Sequence, residues 1–241
     1  MVRKLKHLIR TIAIKLWEHT YEGRLKYLFQ KHDSNTLIVV FSGFDVKPLY
    51  NYVRTLLQIK CDKMFILDDF GCRGSYYWYE NGDDKPMRLV KSLITTKLNE
   101  GKYKRLITLG TSKGGTCAIY FGLMFGACDI YAGSCQYRIG TYLRSDEPVF
   151  KAMMGIDASD KERDHLDKQM PRMLSLHQHS PSKIHLFYSK DEHTYQDDIQ
   201  FLISDLDKYN ITHEDTISHF TNHGDVGKYF SPWIKARFTE I

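Results

Sequence analysis

The sequence predicts an α/β fold: a mostly parallel central sheet with helices on both faces and a helical lid inserted late in the chain. Three observations lead there. The stretches at Thr36–Phe41, 106–109 and 183–188 are short, largely apolar runs rich in β-branched or aromatic residues, as in strands covered on both sides. Helix-length segments separate such runs, which is what parallel neighbours in a sheet require. The length of 241 residues with 42 % hydrophobic content suits one domain with a sizeable core.

Taken in order, residues 2–17 predict a basic amphipathic helix. Val2, Leu5, Leu8, Ile9, Ile12, Ala13 and Leu16 share one face, and Arg3, Lys4, Lys6, Arg10 and Lys15 share the other. A helix of this kind docks on a core, on a partner subunit or on an anionic membrane surface. The domain plan is therefore residues 1–20 as an N-terminal helical segment and 21–241 as a single domain. Residues 21–31 read as a short strand or hairpin arm turning at Gly23. After Thr36–Phe41, residues 48–59 predict a helix, 63–67 a strand and 85–98 a helix with Pro86 in its first turn. Residues 129–132 predict the next strand. The polar, Met-containing stretch 137–179 is helical in pattern but fits no βα repeat, so it is assigned as the lid. A strand over 183–188, a helix over 196–209, an edge-side strand over 211–218 and a last helix over 226–238, bent or broken at Pro232, complete the chain.

Composition narrows the function. The formal net charge is +5 and the basic residues gather at the start rather than in one long tract, which argues against nucleic acid as the main partner. Five cysteines, an odd number with no paired metal spacing, fit a reducing compartment, so a cytoplasmic protein without a metal is expected. No apolar run reaches the ~18 to 20 residues that cross a bilayer, and charges interrupt the N-terminus where a signal peptide would be apolar. The aromatic content, weighted to Tyr and Phe, suits either a surface that handles sugars or a Tyr-rich core.

The chemistry concentrates at Gly110-Thr111-Ser112-Lys113-Gly114-Gly115. This Gly-x-Ser-x-Gly pattern, between a strand and a helix start, is that of a nucleophile elbow, where flanking glycines let strand and helix pass each other. A serine hydroxyl needs a histidine to take its proton and a carboxylate to orient that histidine. His193, His213, His219 and His223 follow the 183–188 strand. His223, in a glycine-containing loop before the last helix, sits where the base belongs in the Ser…Asp…His order of α/β hydrolases. Asp191, at the strand end, is the expected acid; Asp197 and Asp198 read as carboxylates at the start of a helix. Lys113 and the Gly43/Phe44 loop would supply the oxyanion-hole amides, unless Gly43 merely ends its strand. In the loop 68–78, Arg73 offers a fork for phosphate or carboxylate, and Tyr76, Tyr77 and Trp78 offer faces for a sugar or base, or simply anchor the loop. Gln136 is counted with the substrate-binding residues. The Lys113 side chain and Arg73 are candidate contacts for the phosphate groups of a ligand.

Several separated blocks carry a resemblance. Gly110 to Gly115, Ala132-Gly133-Ser134-Cys135-Gln136, Ile139-Gly140-Thr141-Tyr142-Leu143, Ser189-Lys190-Asp191-Glu192-His193-Thr194-Tyr195 and His223-Gly224-Asp225 resemble the Ser-Lys-Gly-Gly α/β-hydrolase-fold proteins of bacterial capsule synthesis. Arg73-Gly74-Ser75-Tyr76-Tyr77 resembles an Arg-Gly-x-Tyr-Tyr segment of that family. The resemblance spans the chain from about residue 36 onward. It implies a Ser112, Asp191, His223 triad, acetyl-CoA as donor co-substrate and a polysaccharide or oligosaccharide hydroxyl as acceptor. The rival expectations are a carbohydrate esterase or deacetylase with the same residues and a non-catalytic assembly or secretion component of hydrolase fold. The basic helix at 2–17 is the departure, and leaves open contact with the membrane or the capsule synthesis complex.

Overall fold

The computed structural model describes residues 17–45 and 49–238. The helix expected at 2–17 lies outside the described residues but for Trp17, and residues 18–20 belong instead to the first strand. In chain order the elements are β1 (Glu18–Tyr21), β2 (Leu25–Gln30), β3 (Thr36–Phe41), β4 (Asp62–Ile66), α1 (Lys85–Glu100), β5 (Arg105–Thr111), α2 (Lys113–Met124) and β6 (Asp129–Gly133). Four short helices follow, α3 (Ile139–Tyr142), α4 (Glu147–Met154), α5 (Asp160–Asp167) and α6 (Gln169–Leu176). The chain then returns through β7 (Lys183–Ser189), a π turn (Tyr195–Ile199), α7 (Gln200–Lys208), β8 (His213–Ser218) and α8 (Val226–Phe238).

The strands form one sheet in the order β1-β2-β4-β3-β5-β6-β7-β8. From β4 to β8 every pairing is parallel, while β1 and β2 form an antiparallel hairpin against β4. The unbroken apolar run of β3 has its reason in this order, because the strand lies inside the sheet. Leu37, Val39 and Phe41 enter one core and Ile38 and Val40 the other. The first core is closed by α1, α2 and the lid helices, and the second by α8 through Val226, Phe230, Ile234 and Phe238. α8 runs through Pro232 without the expected interruption. Among the described residues, no helix is long and apolar enough to cross a membrane.

The helix expected over 48–59 is not formed: the described part is a set of turns between Val53 and Gln58. Its local pattern loses to tertiary hydrogen bonds. Tyr52 is held at φ 60° with its hydroxyl 2.7 Å from Thr111 Oγ1, and Asn51 Oδ1 accepts the Gly43 N–H at 2.9 Å. A left-handed tyrosine cannot sit inside an α-helix.

The chemistry-bearing loops all leave the carboxyl ends of β3, β4, β5, β6, β7 and β8, the edge where open parallel sheets bind ligands.

Candidate active site

Ser112 occupies the turn between β5 and α2 with φ 54° and ψ −129°, a conformation costing a non-glycine residue about 1–3 kcal/mol. The turn is possible because its flanks carry no side chains. A Cβ on Gly110 would lie 2.2 Å from the Gly114 carbonyl oxygen, and one on Gly114 would lie 2.5 Å from that of Phe41. The Ser112 N–H donates to the Gly133 carbonyl at 2.7 Å, tying the elbow to β6. Its own carbonyl accepts from Gly115 and Thr116 at 2.9 and 3.1 Å, which starts α2.

His223 reaches the serine from the turn before α8. Its Nε2 is 2.7 Å from Ser112 Oγ and its Nδ1 is 2.7 Å from a carboxylate oxygen of Glu192. With Nδ1–H donating to the carboxylate, Nε2 is left free to accept the serine proton. Here the expectation for the acid is corrected. Asp191 is exposed and faces His219 at 3.4 Å, whereas the Glu192 side chain is fully buried. The turn after β7 decides between them, because the Asp191 N–H caps back onto Ser189 Oγ at 3.2 Å and the next side chain is turned inward. Thr194 then donates to the second oxygen of Glu192 at 2.5 Å. Burial pushes the Glu192 carboxyl up, but the hydrogen bonds from His223 and Thr194 outweigh it and leave the group below its usual range. It is therefore ionised at neutral pH. The adjacent Asp191-Glu192 pair was the visible signal, since either carboxylate can serve as third member.

Gln136, expected among the substrate-binding residues, lies against the nucleophile: its Nε2 is 3.0 Å from Ser112 Oγ. The residue is 1 % exposed and its backbone is clamped by Thr116, whose hydroxyl donates to the Gln136 carbonyl and accepts its N–H.

The binding residues of the 68–78 loop are placed differently from expectation. Tyr76, Tyr77 and Trp78 are each 0 % exposed, so none offers a face to a sugar. Tyr77 Oη donates to the Ile66 carbonyl and accepts the Ser42 N–H, Tyr76 packs edge-on to Phe44, and Trp78 packs on Tyr120. Their enrichment in aromatics serves the core. Arg73 pairs through one guanidinium nitrogen with Asp146 at the start of α4, and its side chain stays 40 % exposed. The Lys113 side chain is buried and ion-paired with Asp68 at 2.6 Å, away from any diffusing phosphate. Asp68 also accepts the backbone N–H groups of Ser75 and Tyr77, which organises the whole loop around the pair.

Of the expected oxyanion donors, the Gly43 N–H is occupied by Asn51. Lys113, first residue of α2, contributes one of the amides that a helix N-terminus leaves without an intrahelical partner. Phe44 lies in the same loop as Gly43, its ring 5.4 Å from the Lys113 ammonium. Asp198 does not cap its own helix; it is buried and accepts the N–H groups of Tyr137 and Arg138, fixing the start of the lid segment. Among the described residues, no group of three or more His, Cys, Asp or Glu is arranged to hold a metal.

No protein-family model matches the chain, and no curated protein matches its sequence. Solved structures do match its fold. The capsule O-acetyltransferase of Neisseria meningitidis serogroup A superposes with TM-score 0.80 at 20 % identity, over 92 % of this chain and 93 % of that one. A mutant of that enzyme in complex with CoA gives 0.77 at 19 % identity, over 92 % and 94 %. The fluorophosphonate-binding serine hydrolase F of Staphylococcus aureus gives 0.65 at 15 % identity, over 89 % and 90 %. A glycosylation-associated protein complex of Streptococcus agalactiae gives 0.73 at 19 % identity, with 92 % of this chain covering 45 % of that one. The fold is thus that of the α/β hydrolases.

Proposed function

We propose that the chain is a serine-dependent O-acetyltransferase that carries an acetyl group from acetyl-CoA, through an ester on Ser112, to a hydroxyl of a bacterial surface polysaccharide. The observation that carries this reading is the continuous relay from Ser112 Oγ through the His223 ring to buried Glu192, with both contacts at 2.7 Å. In the first half-reaction His223 Nε2 takes the hydroxyl proton as Ser112 Oγ bonds to the thioester carbon. The proton then passes to the departing CoA thiolate. In the second half-reaction the same nitrogen takes a proton from the glycan hydroxyl as its oxygen bonds to the ester carbon, and collapse breaks the bond to Ser112 Oγ, which takes that proton back from His223. Glu192 holds the ring in the required tautomer and stabilises its cation in both.

The choice of donor and acceptor is supported by the likeness to an enzyme of capsule O-acetylation and by a structure of that enzyme with CoA. A cytoplasmic setting follows from acetyl-CoA as donor. The basic amphipathic stretch at 2–17 fits peripheral contact with the membrane face or with the capsule synthesis complex. Hydrolysis is the second reading, because the same relay serves an esterase and serine hydrolases share the fold. The deciding experiment incubates the protein with acetyl-CoA, with and without capsule oligosaccharides, and follows free CoA and acetylated glycan. Acetylated glycan that vanishes in Ser112→Ala supports transfer. CoA release indifferent to the glycan supports hydrolysis, and no turnover dependent on Ser112 rejects both.

A further inference from the structure

The oxyanion hole of this elbow needs donors, and of the expected backbone N–H groups, those of Gly43, Phe44 and Lys113, the first is in use. The Gly43 N–H is satisfied by Asn51 Oδ1 at 2.9 Å. On another side of the nucleophile stands a donor that the backbone scheme does not contain. Gln136 Nε2 is 3.0 Å from Ser112 Oγ, on a residue 1 % exposed. Its amide orientation is chemically consistent. The serine gives its single proton to His223, so the remaining lone pairs of Oγ accept from an N–H, and Gln136 Oε1 is left facing the Tyr76 hydroxyl at 3.5 Å.

The geometry points to Gln136 as a side-chain member of the oxyanion hole, acting with the main-chain N–H of Lys113. The inference rests on Ser112 accepting an acyl group, whichever acceptor follows. When Ser112 Oγ bonds to the carbonyl carbon, the π pair moves onto the carbonyl oxygen, and the hydroxyl proton moves to His223 Nε2. That oxygen is now attached to the same carbon as Oγ, within reach of a donor already at hydrogen-bond distance from Oγ. Gln136 therefore transfers its hydrogen bond from the nucleophile to the developing oxyanion with little reorganisation. Collapse of the intermediate returns the pair to the carbonyl, breaks the bond to the leaving group and sends the His223 proton to it. A preorganised donor in a closed site is worth far more than the same amide in water, and removing one such donor costs about 10²- to 10³-fold in kcat. Two features keep it preorganised. Thr116 clamps the Gln136 backbone from both sides, at 2.7 and 3.0 Å, and Thr116 itself belongs to the first turn of the elbow helix. Donor and nucleophile are thus mounted on one rigid piece.

The test compares wild type with Gln136→Met and Gln136→Glu, two variants of similar shape without the neutral amide donor, using p-nitrophenyl acetate and a fluorophosphonate probe. Circular dichroism and thermal melting establish that each variant is folded, and Gln136→Asn is added as a shorter amide. The expected result is a fall of about 10² or more in kcat and in the labelling rate of Ser112 for Met and Glu, with KM within about threefold and partial recovery in Asn. Folded Met and Glu variants that retain wild-type kcat and labelling overturn the inference. Both readouts are independent of CoA. Wild type that reacts with the probe but not with acetyl-CoA therefore rejects the acetyl-CoA reading alone, whereas wild type inert to probe and ester rejects Gln136 together with the Ser112 nucleophile.

Discussion

At the scale of single residues, the site turns on which of two neighbouring carboxylates faces inward. Glu192 is bonded to His223 Nδ1 at 2.7 Å and Asp191 is exposed beside His219, so the two substitutions separate cleanly. Glu192→Gln should lower kcat by about 10³- to 10⁴-fold by losing the tautomer control and the charge that stabilises imidazolium, while Asp191→Asn should stay within about threefold. Steady-state kinetics on the two variants decides it, and the reverse ranking would restore Asp191 as the acid. Ser112 and His223 could be placed from sequence because the elbow pattern and the loop before the last helix are local signals. Choosing between Asp191 and Glu192 depends on a turn whose direction is set by Ser189 and Thr194, and adjacent acids carry no periodicity that reveals it.

At the scale of elements, strands and most helices were legible because burial on two faces leaves long apolar runs, as in β3 and β5. What the pattern misses is tertiary. The 48–59 stretch has helical spacing, yet Asn51 and Tyr52 are committed to Gly43 and Thr111. Tyr76, Tyr77 and Trp78 look like a ligand platform until the buried Asp68–Lys113 pair folds their loop into the core. That pair joins the loop after β4 to the first turn of α2. Lys113→Met leaves Asp68 buried without its cation and should cost about 3–5 kcal/mol in urea denaturation. Replacing both partners, as Lys113→Met with Asp68→Asn, should recover a large part of that loss, since the amide oxygen can still accept the Ser75 and Tyr77 N–H groups. A double variant no more stable than Lys113→Met would show that the ion pair is not the relevant interaction.

At the scale of the whole molecule, the two edges of the sheet divide the labour. The carboxyl ends of the strands carry Ser112, Gln136, Glu192 and His223. The amino ends of β5 to β8 carry a charge network in which Arg105 and His185 meet Asp129 at 2.7 and 2.9 Å, and Lys183 and Arg237 meet Glu214 at 2.7 and 2.5 Å. Beside this network, hydrogen bonding to Asp215, opposed by burial and reinforced by Asp207, raises the His213 imidazole from 6.5 to about 9. The folded pKa is the higher one, so the protonated ring stabilises the fold fully below the unfolded value. That contribution is lost as pH rises from about 6.5 through 9. Thermal melts from pH 6 to 9.5 should show a decline that His213→Gln flattens; an unchanged slope in the variant would place the titration elsewhere.

The central claim is that this edge of the sheet makes an acetyl ester on Ser112 from acetyl-CoA. Its most direct measurement is intact-protein mass spectrometry after brief mixing with acetyl-CoA and acid quenching, with the modified peptide mapped. The expected result is one acetyl group on the Ser112 peptide, accumulating in Glu192→Gln more slowly than in wild type and absent in His223→Ala and Ser112→Ala. Acetyl-CoA that leaves the protein unmodified, together with CoA release that persists in Ser112→Ala, would contradict it.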